Sequence, residues 1–174
     1  MSSENNEASV VKEKFLQEVF QHQALIHKIC QMYRETAEDR EDLFQEITYQ
    51  LWKSYPKFQA KSKITSWMYR IGLNTAMASF RKPKLPLQFT AAVPEHASMG
   101  ESDAVPSREE VLFAAIRKLE EADRALVALY LEEMSYAEIA DLMGISENNV
   151  GVRLSRIKKK LKELLTEKDG IRRL

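Results

Sequence analysis

Apolar residues return every three to four positions along most of this chain with polar residues between them, a pattern that predicts amphipathic helices throughout. From Ser9, the series Val11, Phe15, Val19, Leu25, Ile26, Ile29 and Tyr33 predicts one long helix with an inward stripe, after a polar, structureless start over residues 1–8. Thr36 and Asp39 are placed to cap a second helix, whose stripe is Leu43, Ile47 and Leu51 with Phe44 and Trp52 beside it, and Pro56 ends it. Ser62 caps a third helix from Ile64 to about Lys82, in which Trp67, Ile71 and Ala78 are expected to face the core, and Pro83 breaks it. Residues 84–106 contain Pro86, Pro94, Gly100 and Pro106 without sustained periodicity, as an extended linker would.

Beyond the linker, Ser107 starts a fourth helix with Val111, Leu112, Ala115, Ile116 and Leu119 inward, and a fifth follows with Leu126, Val127, Leu129, Tyr130 and Leu131. The stretch from Ser135 to Leu161 then reads as two helices around a tight turn. Ser135 with Glu138 forms a capping box, Gly144 supplies the left-handed residue of the turn, and Ser146 caps the last helix, whose stripe is Val150, Leu154, Ile157 and Leu161. Small Ala140, turning Gly144 and buried Val150 have the spacing of a helix-turn-helix, and the face away from the stripe carries Glu147, Asn148, Gly151, Val152, Arg153, Ser155, Arg156 and Lys159. A solvated lysine-rich helix end would account for the cations but not for that trio. The expected fold is therefore all-α: two small helical domains, 9–83 and 107–168, joined by a flexible linker over 84–106, the second a helix-turn-helix four-helix module.

Composition narrows the function. The 174 residues are 44% hydrophobic, with no apolar run near the roughly 20 residues that span a bilayer, and the MSSENNEAS start is unlike a secretory signal, so a cytoplasmic protein is expected. A single cysteine, Cys30, excludes an internal disulfide, and His22, His27 and Cys30 do not complete a metal-ligand set, so no metal or cofactor is expected. No paired carboxylates, nucleophile arrangement or phosphate-cradling glycine loop argues for an enzyme.

Lys plus Arg and Asp plus Glu both total 26, yet the signs are segregated. Asp39, Glu41, Asp42, Gln45 and Glu46 make an acidic and amide-bearing surface that solvation alone would explain, whereas between Glu46 and Glu95 there is no carboxylate at all. That span holds Lys53, Lys57, Lys61, Lys63, Arg70, Arg81, Lys82 and Lys84, and within it Arg70, Asn74, Met77 and Arg81 share one face of the third helix, suited to bases and phosphates. Phe58, Trp67 and Tyr69 lie close enough to stack on unpaired bases, although core packing is the better reading of Trp67.

These segments resemble, in order, three motifs of the extracytoplasmic-function (ECF) RNA polymerase sigma factors. DREDLFQEITYQLWKSYPKF resembles the family's core-polymerase-binding helix, KSKITSWMYRIGLNTAMASFRK its promoter-melting and −10-reading helix, and SYAEIADLMGISENNVGVRLSRIKKKL its −35-reading motif. The resemblance implies a non-catalytic subunit that directs core enzyme to promoters by −35 duplex binding and −10 strand opening. It implies that Asp39, Asp42, Leu43, Gln45 and Glu46 bind the β′ clamp helices of core polymerase, whose β subunit is a further partner. Phe58, Lys61, Lys63, Ser66, Trp67, Arg70, Asn74 and Arg81 would engage the −10 strand, and Ser146, Glu147, Asn148, Asn149, Arg153, Arg156, Lys159 and Lys160 the −35 duplex. The linker would thread the RNA exit path. Where members often carry an acidic residue near position 78 and a longer arginine run, this chain has AMASFRKPK. With no inhibitory domain expected at either end, regulation falls to an anti-sigma factor, which could hold the protein near the inner membrane of a bacterial cell. The alternative is a stand-alone helix-turn-helix regulator with a helical N-terminal domain, dimeric on a palindromic site.

Overall fold

The computed structural model describes residues 2–58, 62–81 and 106–171, with side chains at 9–58, 62–79 and 106–166. Among these it contains helices α1 Ser2–Tyr33, α2 Ala37–Ser54, α3 Ile64–Arg81, α4 Arg108–Ile116, α5 Glu121–Leu131, α6 Tyr136–Met143 and α7 Glu147–Ile171, with a 3-10 turn over Tyr55–Lys57 and no strand. The first three pack on one another, α4 to α7 form a second unit, and the two units touch where α1 and α3 meet α4 and α5.

The first unit closes around Leu25, Ile26, Ile29 and Met32 of α1, Leu43, Ile47 and Leu51 of α2, and Met68, Tyr69, Leu73 and Ala76 of α3, all buried. Helix α1 begins at Ser2 rather than near Ser9. Its 32 residues span about 48 Å at the α-helical rise, against about 27 Å for the 18 residues of α2 or α3, so much of its first half has no partner. Hence Val11, expected inward, is exposed together with Val10, Leu16 and Phe20, the last 74% accessible. Trp52 likewise lies at the surface, its ring leaning on Phe15 with centroids 5.0 Å apart.

Helix α3 is rotated relative to the expectation. Trp67 and Ile71 are only half-buried and Ala78 is exposed, whereas Met68, Tyr69, Leu73 and Ala76 face inward. Gly72 fits this phase: a Cβ built there would lie 2.7 Å from Ile29 Cδ1, so a larger residue would require that buried side chain to shift where α3 crosses α1. The core face is centred on the smallest residue and not on the aromatic ones.

In the second unit the expected signals all act locally. Ser107 and Glu110 form a capping box at α4, with Ser107 N donating to Glu110 Oε2 at 2.7 Å and Glu110 N to Ser107 Oγ at 3.1 Å. Ser135 and Glu138 do the same at α6. Gly144 has φ 67° and ψ 35°, and Ile145 N returns to Ala140 O at 3.1 Å, the left-handed helix end that the turn requires. Val150, Leu154 and Ile157 are buried and Leu161 half-buried, as the spacing predicts; Leu131, by contrast, lies exposed at the end of α5.

Candidate nucleic-acid and polymerase interfaces

Thr36, with extended backbone, caps α2 by accepting from Asp39 N at 3.1 Å, which presents the first-turn acids Glu38 and Asp39 to the positive end of the helix. Continuing down the same face, Asp42, Glu46 and Gln50 recur one turn apart, and Gln50 Nε2 donates to Glu46 Oε1 at 2.9 Å. They form one wall of an open cleft of about 600 Å³, whose other wall is Asn74, Thr75, Ala78 and Ser79 of α3. Arg34 lies at its edge and donates to Ser79 Oγ at 2.6 Å. The five residues expected to bind polymerase are thus divided. Asp39, Asp42 and Glu46 share the cleft; Leu43 is 3% exposed and belongs to the core at its floor; Gln45 points around the helix.

Gln45 borders a different surface, an apolar groove between α1 and α2 lined by Phe15, Leu16, Phe44, Tyr49 and Trp52. The hydrophobic periodicity assigned Phe15, Phe44 and Trp52 to the core and did not register this groove. The only available signal was the length of the apolar run in α1 compared with the helices available to cover it.

On the other side of the first unit, Phe58 and Trp67 approach to 4.9 Å between centroids, Tyr55 lies 6.1 Å from Trp67, and Phe15 lies 5.2 Å from Tyr55. This run of rings joins the α2–α3 connection to α1, and leaves Phe58 and Trp67 half-buried with their outer faces open. Ser62, Lys63, Ser66, Trp67 and Arg70 line one side of a cleft of about 450 Å³, opposite Glu138, Asp141 and Leu142 of α6. Asn74 is exposed two turns before the end of α3. Of the eight residues assigned to the −10 strand, Lys61 lies outside the described residues, as does the side chain of Arg81; the other six occupy this one end and face of α3.

The outer face of α7 is a shallow concavity formed by Glu147, Asn148, Gly151, Val152, Ser155 and Arg156, with the ring of Tyr136 from α6 over Gly151. Tyr136 Cε2 stands 3.4 Å from where a Gly151 Cβ would sit. Ser146 caps the helix by accepting from Asn149 N at 3.3 Å, and Ser146, Asn149, Lys159 and Lys160 are exposed, Asn149 and Lys160 toward the flank of the helix that carries Arg153.

Arg153 departs from that face. Its Nε and Nη2 reach Asp123 Oδ1 of α5 at 3.1 and 2.5 Å, and the two side chains are 27% and 23% accessible. At about 100° per residue, position 153 falls on the flank of the buried stripe, on the side that meets α5, so its guanidinium braces α7 against α5. Lys158, on the opposite flank, donates to Tyr130 Oη at 2.9 Å and lies 4.3 Å from the centre of its ring; that hydrogen bond raises its pKa.

Burial disfavours the ionised forms of the titratable core groups: it pushes the Cys30 thiol up to about 12 and raises the Tyr33 and Tyr69 phenols. No group of His, Cys, Asp and Glu that could hold a metal occurs among the described residues, and none of their helices is long and apolar enough to cross a membrane.

Comparison with known proteins adds an independent view of the two units. The family model for Sigma-70 region 2 matches residues 19–84, and that for Sigma-70 region 4 matches residues 109–161. The chain is 25% identical over 148 residues to the ECF RNA polymerase sigma factor SigM of Mycobacterium tuberculosis, covering 83% of this chain and 73% of that protein. It is 26% identical over 156 residues to the ECF RNA polymerase sigma factor SigW of Bacillus subtilis, covering 82% and 83%. Among solved structures, the fold is that of the sigma factor RpoE bound to the anti-sigma factor NepR from Bartonella quintana, with a TM-score of 0.68 at 21% identity over 88% of this chain and 98% of the other. CnrH in complex with the cytosolic domain of CnrY is similar at a TM-score of 0.62 and 20% identity, with 90% of each chain covered.

Proposed function

Because this chain belongs to the extracytoplasmic-function group of RNA polymerase sigma factors, we propose that its units, 9–83 and 107–168, divide promoter recognition, with 84–106 as the linker. The match of residues 19–84 to region 2 sets aside a stand-alone helix-turn-helix regulator. The α2 face of Asp39, Asp42 and Glu46 is the surface for the β′ clamp helices of core polymerase, with the β subunit a further contact. The α3 end bearing Phe58, Lys63, Ser66, Trp67, Arg70 and Asn74 takes the −10 strand, and the outer face of α7 the −35 duplex.

The observation that carries this division is the placement of charge. On α2 the acids Asp39, Asp42 and Glu46 share one face, whereas α3 presents Arg70 with Lys63 just before it, together with amide, hydroxyl and ring groups, and has no carboxylate of its own. A polyanion is attracted to one side and repelled from the other, so the same small unit can hold protein and DNA without confusing them. Strand separation costs a few kcal/mol for each extruded base, which stacking on rings such as Phe58 and Trp67 and cation–phosphate attraction offset. On α7, Asn148 and Arg156 have the donor and acceptor types that read base edges, and Lys159 and Lys160 the compact charges that hold phosphates.

The protein acts in the cytoplasm, where core polymerase and promoter DNA are found, and an anti-sigma factor is its expected regulator, as RpoE is held in a complex with the anti-sigma factor NepR. The deciding experiment is transcription in vitro with core polymerase on a genomic promoter library, which should yield initiation from a discrete set of sequences. With Asp42→Arg combined with Glu46→Arg, binding to core should be lost while helicity and melting temperature are kept. Undiminished core binding by that variant would remove the α2 face from the assignment.

A further inference from the structure

The concavity on the outer face of α7 contains a side chain that phosphate binding does not call for. Val152 is 42% exposed there, with Asn148 one turn before it and Arg156 one turn after. It is not needed for the core, whose buried positions on α7 are Val150, Leu154 and Ile157. Helix formation does not favour it either, because branching at Cβ restricts the side chain against the preceding turn.

A single exposed valine is ordinary on a protein surface. This one differs in its surroundings. Tyr136 of α6 and Val152 line the same concavity, and the Tyr136 ring stands over Gly151, whose missing side chain leaves the floor between them open. An aromatic ring and an isopropyl group therefore border a recess set among Asn148, Ser155 and Arg156, which donate and accept hydrogen bonds. Among the base edges of the major groove, thymine alone presents an apolar group, its C5-methyl. Four residues of helix rise about 6 Å, close to two base-pair steps of about 3.4 Å, so Asn148, Val152 and Arg156 are spaced to meet successive positions along a groove.

We propose that Val152 is a specificity-determining residue that reads the C5-methyl of one thymine in the −35 element, with Tyr136 and Gly151 shaping the recess that admits it. The inference rests on the assignment of α7 to the −35 duplex. The valine side chain has neither donor nor acceptor, so it responds to the methyl and not to the oxygen or amine on the neighbouring ring carbon. 5-Methylcytosine therefore satisfies it as thymine does. The contact is worth one buried methyl group, roughly fourfold in affinity, so Val152 selects the base while the cations of α7 supply most of the attraction to the duplex.

The test uses holoenzyme assembled from core polymerase and the full chain, on −35 duplexes taken from the strongest promoter that the genomic library yields. Each thymine of the element is replaced in turn by 2′-deoxyuridine, which keeps every hydrogen-bonding group and lacks the methyl, and binding is read by competition. One of these replacements should weaken binding roughly fourfold. Val152→Ala should bind the thymine and uracil duplexes within about twofold of each other, with helicity and melting temperature maintained. Val152→Thr, which keeps the branched shape and one methyl, should retain the preference. With cytosine at the same position, 5-methylation should tighten binding by the unsubstituted chain and not by Val152→Ala. The proposal is overturned if the element contains no thymine whose methyl matters, or if Val152→Ala still separates thymine from uracil as the unsubstituted chain does. Failure of the α7 assignment reads out differently: scrambling the whole −35 element then leaves holoenzyme binding unchanged, whereas failure of the Val152 inference alone leaves binding sensitive to scrambling and insensitive to the methyl.

Discussion

Helices α3 and α7 each carry one glycine well inside the helix, and the two glycines are there for different reasons. At Gly72 the space for a Cβ is already taken by Ile29 Cδ1, 2.7 Å away, in the fully buried contact between α3 and α1. At Gly151 the nearest atom is Tyr136 Cε2 at 3.4 Å, at the edge of an open concavity. One glycine sets how closely two core helices cross; the other shapes a surface. The same contrast runs through the two helices as a whole. The orientation of α3 is imposed by what packs against it, and its outer stripe faces the other unit of the chain, whereas the orientation of α7 is set by the turn and caps that precede it, and its outer face is open.

The largest effect should come from filling the α3–α1 crossing. Gly72→Val should cost about 1–3 kcal/mol through overpacking, seen as a lower denaturation midpoint, while a chain of unchanged stability would mean that the crossing is not close in solution. Arg153→Ala and Arg156→Ala divide stability from recognition on α7. Arg153→Ala strands the half-buried Asp123 and should cost about 1 kcal/mol of stability, whereas Arg156→Ala should leave the melting temperature alone and lower the salt slope of duplex binding by about 1 if it holds a phosphate. Exchange of those two phenotypes would place Arg153 on the DNA.

Alkaline titration addresses the first unit's core as a whole. The thiol of Cys30 is raised from 9.0 to about 12 by burial, so between those values the unfolded chain has lost a proton that the folded chain keeps. Stability is therefore fully present below pH 9 and declines as pH rises toward 12, with Tyr33 and Tyr69 contributing in the same direction above their ordinary value of 10.0. Urea melts at increasing pH should display that decline, and reaction of Cys30 with a thiol reagent should proceed only as fast as the unit opens. The smallest effect belongs to the other glycine: Gly151→Ala should be neutral or stabilising by about 0.5–1 kcal/mol in thermal melts, since alanine is the better helix former and the Tyr136 ring has room to yield.

These contrasts bear on how far a sequence can be read. Ser107 with Glu110, Ser135 with Glu138, and Gly144 were legible because each interaction closes within a few residues, and a cap needs only its own helix. The stripe of Val150, Leu154 and Ile157 was legible because α7 is anchored at Ser146 and its phase follows from there. Periodicity was less informative in the first unit. Trp67 and Ala78 were expected inward and lie half-buried or exposed, because hydrophobicity was weighed while the close approach at Gly72 depends on a residue of another helix, and Trp52 of α2 lies at the surface against Phe15 of α1. The resemblance grouped Leu43 and Gln45 with Asp39, Asp42 and Glu46, and which of the five share a cleft depends on the face of α2 that each occupies.

The sequence by itself determined the all-α class, the helix-turn-helix, the separation of acidic from carboxylate-free segments, and through three motifs in order the family. All of these are carried by short-range spacing and by composition, which do not depend on how distant segments meet. Only the tertiary structure decided that Arg153 is bound to Asp123, that the apolar stripe of α1 outruns its partners, and that Lys28, Lys63 and Arg70 face Glu132, Glu138 and Asp141 across the junction of the two units. Each of these is a meeting of residues from different helices. The strength of a charge pair or an apolar contact depends on separation in space, which spacing along the chain determines only within a single helix.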